Sequence, residues 1–426
     1  MKWTVRRSSP TGAIVIPPSK SHTIRALLTA ALAAGGSVVR RPLLQGDGAS
    51  ALRAAASIGA VVEIRDGDVF VTGIGGDYDL GTDLIDMGNS GTGLNLFSSA
   101  AALGDRERRF DGDDSLRTRP VRPLLSALEQ LGAAITVEGE GGRDLPFVVR
   151  GPLKGGRAVV DGISSQYVSS LLFAAPLMPH DTHIIVQNLH EQPYVEMTLW
   201  WLAGQGIEIE YSKELTSYNV RGGQSYKPFD MVIPADFSSA VFAAVAAAIG
   251  GAPIELCGLD FSDTQGDKEV FRHLESMGAS VERGCDTVIV SSGGRLRGTI
   301  IDLNRTPDAL PALAVAAAAA EGETVFTNVA QARIKETDRI TVMAEELGKM
   351  GISVKELPDG MVVRGGQLKG AQLNSHKDHR VAMALALAGM NAEGETEIDG
   401  AEAAEVTYPT FVEDFVRIGA NIVVRS

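Results

Sequence analysis

A short phrase built around glycine recurs six times along the chain, centred on Gly59, Gly132, Gly206, Gly278, Gly351 and Gly419. The copies read Ile58-Gly59-Ala60-Val61, Leu131-Gly132-Ala133-Ala134, Gln205-Gly206-Ile207-Glu208, Met277-Gly278-Ala279-Ser280, Met350-Gly351-Ile352-Ser353 and Ile418-Gly419-Ala420-Asn421. Their interval of about 70 residues is too long for the common solenoids, so each repeat reads as a small helix-and-sheet module. Each copy follows a plausible helix and opens an alternating strand pattern, such as Ile352 and Val354. A second strand then ends near a glycine pair, as at Gly365-Gly366.

Six repeats divide into three plus three, and a chain of 426 residues exceeds the size at which one core keeps growing. Two domains are expected: 19–230, and 1–18 together with 231–426, the N-terminal strand completing the last domain. The first crossing falls near Pro17-Pro18, and the second near Gly222–Phe229, which has linker character. Within a repeat the order is strand, helix, strand, helix, strand, strand. The unit at 264–327 illustrates it: helix 264–277, strands 280–283, 287–290 and 299–303, the alanine-rich helix 309–320, then a strand from Thr324. The alanine-rich helices are apolar around most of their circumference, which suggests burial on all sides, three bundled in each domain with sheets outside. The fold class is α/β.

Composition narrows the function. A formal charge of −14 argues against a nucleic-acid partner. The alanine runs at 241–248 and 314–320 are too short to span a bilayer, and the start lacks the apolar core of a signal peptide. Cys257 and Cys285 offer no disulfide framework or zinc pattern, and no HExxH motif occurs, so no metal is expected. A cytoplasmic monomer is the plain expectation.

Chemistry concentrates at helix starts. In Pro18-Ser19-Lys20-Ser21-His22-Thr23-Ile24-Arg25, Lys20 and Arg25 with nearby hydroxyls and free N–H groups would seat an anion; a capped helix with two solvated cations is the alternative. Met87-Gly88-Asn89-Ser90-Gly91-Thr92-Gly93 turns tightly into helix 94–103 and either admits an anion to its amides or is a flexible loop. Ser164-Ser165-Gln166 caps helix 167–177 or presents hydroxyls to a ligand. Arginines and acids recur at further helix starts: Arg117 and Arg119, Lys335-Glu336-Thr337-Asp338-Arg339, and Lys377-Asp378-His379-Arg380. If such starts converge, Lys20, Arg119, Arg339 and Arg380 would line a cleft suited to a small, strongly anionic substrate. Asp308 and Glu336 would then be proton-transfer groups, unless they serve as helix caps. A structural role for His379 is favoured over a catalytic one.

These motifs, in this order and spacing from about Ile14 to Phe415, make the chain similar to the enolpyruvyl transferase family. The matching stretches are Ser19-Lys20-Ser21 with Arg25-Ala26-Leu27-Leu28, Gly88-Asn89-Ser90-Gly91-Thr92, Arg119-Pro120, Ser164-Ser165-Gln166, Pro307-Asp308, Lys335 to Arg339 and Asp378-His379-Arg380. The resemblance implies two domains of six βαβαββ units forming an inside-out barrel that closes over its substrates. It also implies a cofactor-free transfer from phosphoenolpyruvate to the 5-hydroxyl of shikimate 3-phosphate. Under it, Lys20, Gly91, Arg119, Arg339 and Arg380 bind phosphoenolpyruvate. Ser21 and Arg25 engage the acceptor, and Ser164, Ser165 and Gln166 close around its phosphate and ring. Asp308 helps remove the hydroxyl proton, Glu336 transfers a proton at the methylene carbon, and Lys335 bridges the developing anion.

Four positions depart from the family pattern. Glu191, in Glu191-Gln192-Pro193-Tyr194, stands where a serine touches the acceptor phosphate, and a carboxylate beside a phosphate costs energy unless it turns away, is protonated or meets a cation. Gln331 replaces an acceptor-side asparagine. Val406 and Asn95 replace cations. A transferase for a different alcohol, one lacking the 3-phosphate or altered around the ring, is therefore an alternative reading; a non-catalytic anion-binding protein on the same scaffold is another.

Overall fold

The computed structural model describes residues 1–425 and divides into two units, Pro18–Ile233 and Met1–Pro17 with Pro234–Ser426. The expected bounds were 19–230 and the remainder. The stretch read as a linker is instead fastened to the first unit. Gly223 donates its N–H to the Met178 carbonyl (2.7 Å) and Gln224 to that of Pro176 (2.8 Å). Tyr226 is buried, with its hydroxyl on the Phe173 carbonyl at 2.7 Å. Asp230–Val232 then pairs in parallel with Gly36–Arg40, so the chain crosses only after Ile233.

The repeated glycine phrase has one structural meaning throughout. All six glycines hold positive φ, between 73° and 113°, directly after a helix. In every copy the next residue donates its N–H back to the fifth residue before it: Ala60 to Ala55, Ala133 to Leu128, Ile207 to Leu202, Ala279 to Leu274, Ile352 to Leu347 and Ala420 to Phe415, at 2.9–3.1 Å. This is the Schellman closure, which satisfies a terminal carbonyl and requires a residue that tolerates the left-handed region. The repeat is therefore a helix stop followed by a strand.

Among the described residues, six four-stranded sheets follow the six repeats, and all share one pattern: a parallel pair whose second strand continues into two antiparallel neighbours. The sheet of Gly156–Asp161, Thr182–Gln187, Ser217–Val220 and Ile209–Tyr211 is representative. Three sheets are completed by distant chain. Asp230–Val232 serves the first, Gly12–Val15 pairs with Ile254–Cys257, and Lys2–Arg6 lies between Glu395–Asp399 and Asn421–Arg425. The N-terminal strand thus closes the last sheet.

Each unit is built around three apolar helices. In the first they are Lys20–Leu32, Gly91–Ala101 and Ser165–Ala174; in the second, Phe237–Gly250, Leu310–Ala319 and His379–Asn391. Nearly every residue of Leu310–Ala319 and His379–Asn391 is buried, so these helices have no solvent face. Alanine and glycine keep them slender enough to pack on one another and on the surrounding sheets. Two of the helix starts are linked in each unit, by Asn95 to Gln166 in the first and by Arg380 to Asp308 in the second. No helix among the described residues is long and apolar enough to cross a membrane.

Candidate active site

In the unit Pro18–Ile233 the three central helices are each capped by serine. Ser19 Oγ accepts from the His22 N–H (3.4 Å), Ser90 Oγ from Gly93 (3.2 Å) and Ser164 Oγ from Gln166 (3.3 Å). A hydroxyl cap satisfies a donor without cancelling the positive end of the helix, which leaves each start receptive to an anion. Lys20 opens the first helix, and its Nζ lies 3.3 Å from Asp47 Oδ2, both groups almost buried. Arg25, one turn on, is buried. It donates Nε to Thr198 Oγ1 (3.0 Å), Nη1 to the Ser21 carbonyl (3.1 Å) and Nη2 to the Tyr194 carbonyl (3.0 Å). Burial among these neutral acceptors pushes its pKa down to about 10.

At the second start, the backbone of Gly91 makes room for Arg119. A Cβ on Gly91 would stand 2.7 Å from Arg119 Nη1, so the guanidinium lies directly against the helix start. Asn89 Oδ1 receives Arg119 Nη2 at 2.7 Å. The third start carries a carboxylate: Glu191 Oε2 accepts from Ser165 Oγ at 2.8 Å. Gln166 Oε1 accepts from Asn95 Nδ2 at 2.7 Å, linking the second and third helices.

The other unit uses charged caps. Asp236 and Asp378 accept from the first N–H groups of Phe237–Gly250 and His379–Asn391. Asp308 lies in the turn Pro307–Ala309 that leads into Leu310–Ala319. Arg339, 1% exposed, bridges Asp308 and Asp378. It donates Nε to Asp378 Oδ2 (2.8 Å), Nη1 to Asp308 Oδ1 (2.8 Å) and Nη2 to Glu336 Oε2 (2.6 Å) and Asp378 Oδ1 (3.2 Å). Arg380 Nη2 reaches the other oxygen of Asp308 at 2.9 Å. Despite burial, the three carboxylates raise the Arg339 pKa above its ordinary value. Two guanidiniums thus fix the orientation of Asp308, and one of them also fixes Glu336, the preorganisation that positioned proton transfer requires. Glu336, Asp378 and His379 place ligand atoms within 4.8 Å of one another, but Arg339 already donates to both carboxylates.

A family model described as EPSP synthase (3-phosphoshikimate 1-carboxyvinyltransferase) matches residues 6–415. The chain belongs to the EPSP synthase family. The 3-phosphoshikimate 1-carboxyvinyltransferase of Acetivibrio thermocellus is 51% identical over 422 residues, covering 99% of both chains. Its counterpart from Ruminiclostridium cellulolyticum is 46% identical over 419 residues, 98% of both. The solved EPSP synthase from Acinetobacter baumannii superposes with a TM-score of 0.81 over 100% of both chains at 29% identity. The enolpyruvyl transferase NikO from Streptomyces tendae, at 19% identity and a TM-score of 0.78, covering 99% of this chain and 98% of its own, shares the fold.

For this member of the EPSP synthase family, the residues expected at the site fall into local groups. Lys20, Ser21 and Arg25 share one helix start, Gly91 and Arg119 a second, and Ser164, Ser165 and Gln166 a third. Asp308, Glu336, Arg339 and Arg380 form one bonded network. Gln331 is buried in the turn Ala330–Ile334, where its Nε2 donates to the Asn304 carbonyl (3.2 Å), and Lys335 follows that turn. Arg339 is enclosed by the three carboxylates that it bonds. Two participants were missed. Asp47 lies far from Lys20 in sequence, and its only signal is its place at the start of Asp47–Ser57. Asp378 was visible as part of Asp378-His379-Arg380, but nothing local to it points to Arg339.

Proposed function

We infer that this protein transfers the enolpyruvyl group of phosphoenolpyruvate to the 5-hydroxyl of shikimate 3-phosphate, the step of the shikimate pathway catalysed by the EPSP synthase family. The match along residues 6–415 carries this reading, because it includes the Asp308–Arg339–Glu336 network that binding alone would not need. A proton adds to the methylene carbon of phosphoenolpyruvate, and the acceptor hydroxyl loses its proton as its oxygen attacks C2. Loss of a proton from the new methyl group and cleavage of the C2–O bond to phosphate then yield the enol ether and inorganic phosphate.

The roles proposed for individual residues follow their settings. Lys20, Gly91, Arg119, Arg339 and Arg380 serve phosphoenolpyruvate. Ser21, Arg25, Gln331 and the Ser164-Ser165-Gln166 start serve the acceptor. Asp308 takes the hydroxyl proton, Glu336 handles the proton at carbon, and Lys335 stabilises charge between them. These assignments are supported by helix starts left positive by serine caps and by carboxylates oriented by guanidiniums. A cytoplasmic setting is part of the proposal; Cys257 and Cys285 are both free thiols.

The deciding experiment is phosphate release from phosphoenolpyruvate and shikimate 3-phosphate, with mass detection of the enol ether. Product that disappears in Asp308→Ala and Lys20→Met supports the assignment. Absence of product from folded protein overturns it and directs attention to unphosphorylated alcohols.

A further inference from the structure

Of the three serine-capped helix starts in the unit Pro18–Ile233, two hold a cation and the third holds an anion. Lys20 opens the first and Arg119 lies against the second. At the third stands Glu191, 1% exposed, a residue type rarely buried.

The backbone of Glu191 is adapted to this placement. It is the residue before the helix Gln192–Gly204 and has φ 56° and ψ 40°, the left-handed region that a glutamate seldom occupies. It makes no side-chain cap with its own helix. Its carboxylate reaches the neighbouring helix, where Oε2 accepts from the Ser165 hydroxyl at 2.8 Å and faces the Ser165 N–H at 3.4 Å. A hydroxyl and an N–H at a positive helix end are the groups by which a protein holds a bound anion. Glu191 fills that position with an anion of the protein's own.

Resting on the reading that Ser164, Ser165 and Gln166 receive the phosphate of the acceptor, we propose that Glu191 is an internal competitor for that seat. It must release Ser165 before the acceptor phosphate settles. Two anions within reach of one hydroxyl repel, and each excludes the other from the same donor. The apparent affinity for the phosphorylated acceptor is then reduced by the fraction of molecules in which Glu191 holds the seat. A ligand that brings a hydroxyl instead of a phosphate meets an acceptor of hydrogen bonds there and suffers no repulsion. Glu191 therefore sets how strongly the site distinguishes phosphorylated from unphosphorylated ring alcohols.

Steady-state kinetics on the full-length protein tests this with Glu191→Ser, Glu191→Gln and the double variant Glu191→Ser/Ser165→Ala. Glu191→Ser is expected to lower the KM for shikimate 3-phosphate about tenfold or more, while the KM for phosphoenolpyruvate stays within about twofold. Glu191→Gln, which keeps the shape and loses the charge, should fall between. The inhibition constant of unphosphorylated shikimate should move less than that of its 3-phosphate. An unchanged or higher KM for shikimate 3-phosphate in both Glu191 variants overturns the proposal. Adding Ser165→Ala to Glu191→Ser should raise that KM again. If it does not, Ser165 is not the phosphate seat, and the reading beneath the proposal fails along with it.

Discussion

Arg339 holds Asp378 by both carboxylate oxygens, with Nε on Oδ2 at 2.8 Å and Nη2 on Oδ1 at 3.2 Å. The same Asp378 oxygen, Oδ1, accepts from the Arg380 and Val381 N–H groups at the start of His379–Asn391. One buried ion pair therefore ties the helix 339–349 to the helix that carries Arg380. Arg380 and Arg339 meet again on Asp308, so the proposed base, its two guanidiniums and the cap of a central helix form a closed circuit.

Breaking this circuit at its centre should be costly. Arg339→Gln leaves Asp308, Glu336 and Asp378 near one another without their shared cation. Removing one partner of a buried pair typically costs about 3–5 kcal/mol, and that loss is expected in urea unfolding of Arg339→Gln. Asp378→Asn keeps the shape and should cost less. Equal, negligible losses in both variants would show that the network orients groups without supporting the fold.

Gly91→Ala isolates the contact between a helix start and Arg119. The added methyl would lie 2.7 Å from Arg119 Nη1, inside van der Waals contact, so the end of the arginine side chain must move. Because a flexible side chain absorbs the clash, melting temperature should change little. The KM for phosphoenolpyruvate should rise several-fold, about 1 kcal/mol in binding, with a smaller change in kcat. An unaltered KM would separate Arg119 from phosphoenolpyruvate binding.

The architecture was legible because the fold repeats a local physical event. A glycine at positive φ after one helix of each repeat leaves a mark in sequence six times, and the alternating strand beyond it marks the next element. Helix starts were legible for the same reason: Ser19, Ser90 and Ser164 cap within three residues of the groups they serve. Contacts made across the fold left no such mark. Asp47 meets Lys20, and Asp378 meets Arg339, through packing of separate helices. The departure at Glu191 was visible as an unexpected carboxylate, but its left-handed backbone and its turn onto Ser165 depend on a neighbouring helix. The segment 222–229 looked like a linker because its glycines and proline are turn formers. Buried Tyr226 decides otherwise.

Arg108 provides a structural contrast with Arg339. It is 1% exposed, and its two Nη atoms donate to the backbone carbonyls of Ser57, Tyr78, Leu80 and Thr82. It thereby fastens the irregular stretch 78–82 to the strand Arg108–Asp111. Arg108→Met fills the space but strands those carbonyls, for an expected loss of about 2–4 kcal/mol in unfolding free energy. Both KM values should stay unchanged, since Arg108 touches none of the residues assigned to substrates. A kinetic defect without a stability defect would contradict this division.

His379 should make the folded protein sensitive to acid. Its ring is 2% exposed, and Nε2 has no hydrogen-bond partner. Burial is the main cause that pushes its pKa from 6.5 down to about 3; Arg380 and Arg339 lower it further, against Glu336 and Asp378, which raise it. Between those two values the unfolded chain binds a proton that the folded one refuses, so stability rises with pH across that window. The contribution is fully present above pH 6.5 and is lost progressively as pH falls toward 3. At about pH 5 the neutral-buried histidine should have cost the fold about 2 kcal/mol relative to pH 7.5. His379→Gln cannot titrate, so its unfolding free energy should fall less steeply over the same interval, by about 1.4 kcal/mol per pH unit. Urea melts of both proteins across the interval would measure the difference in slope. Parallel slopes would mean that the folded protein accepts the proton at His379, with the nearby carboxylates outweighing burial and the two arginines.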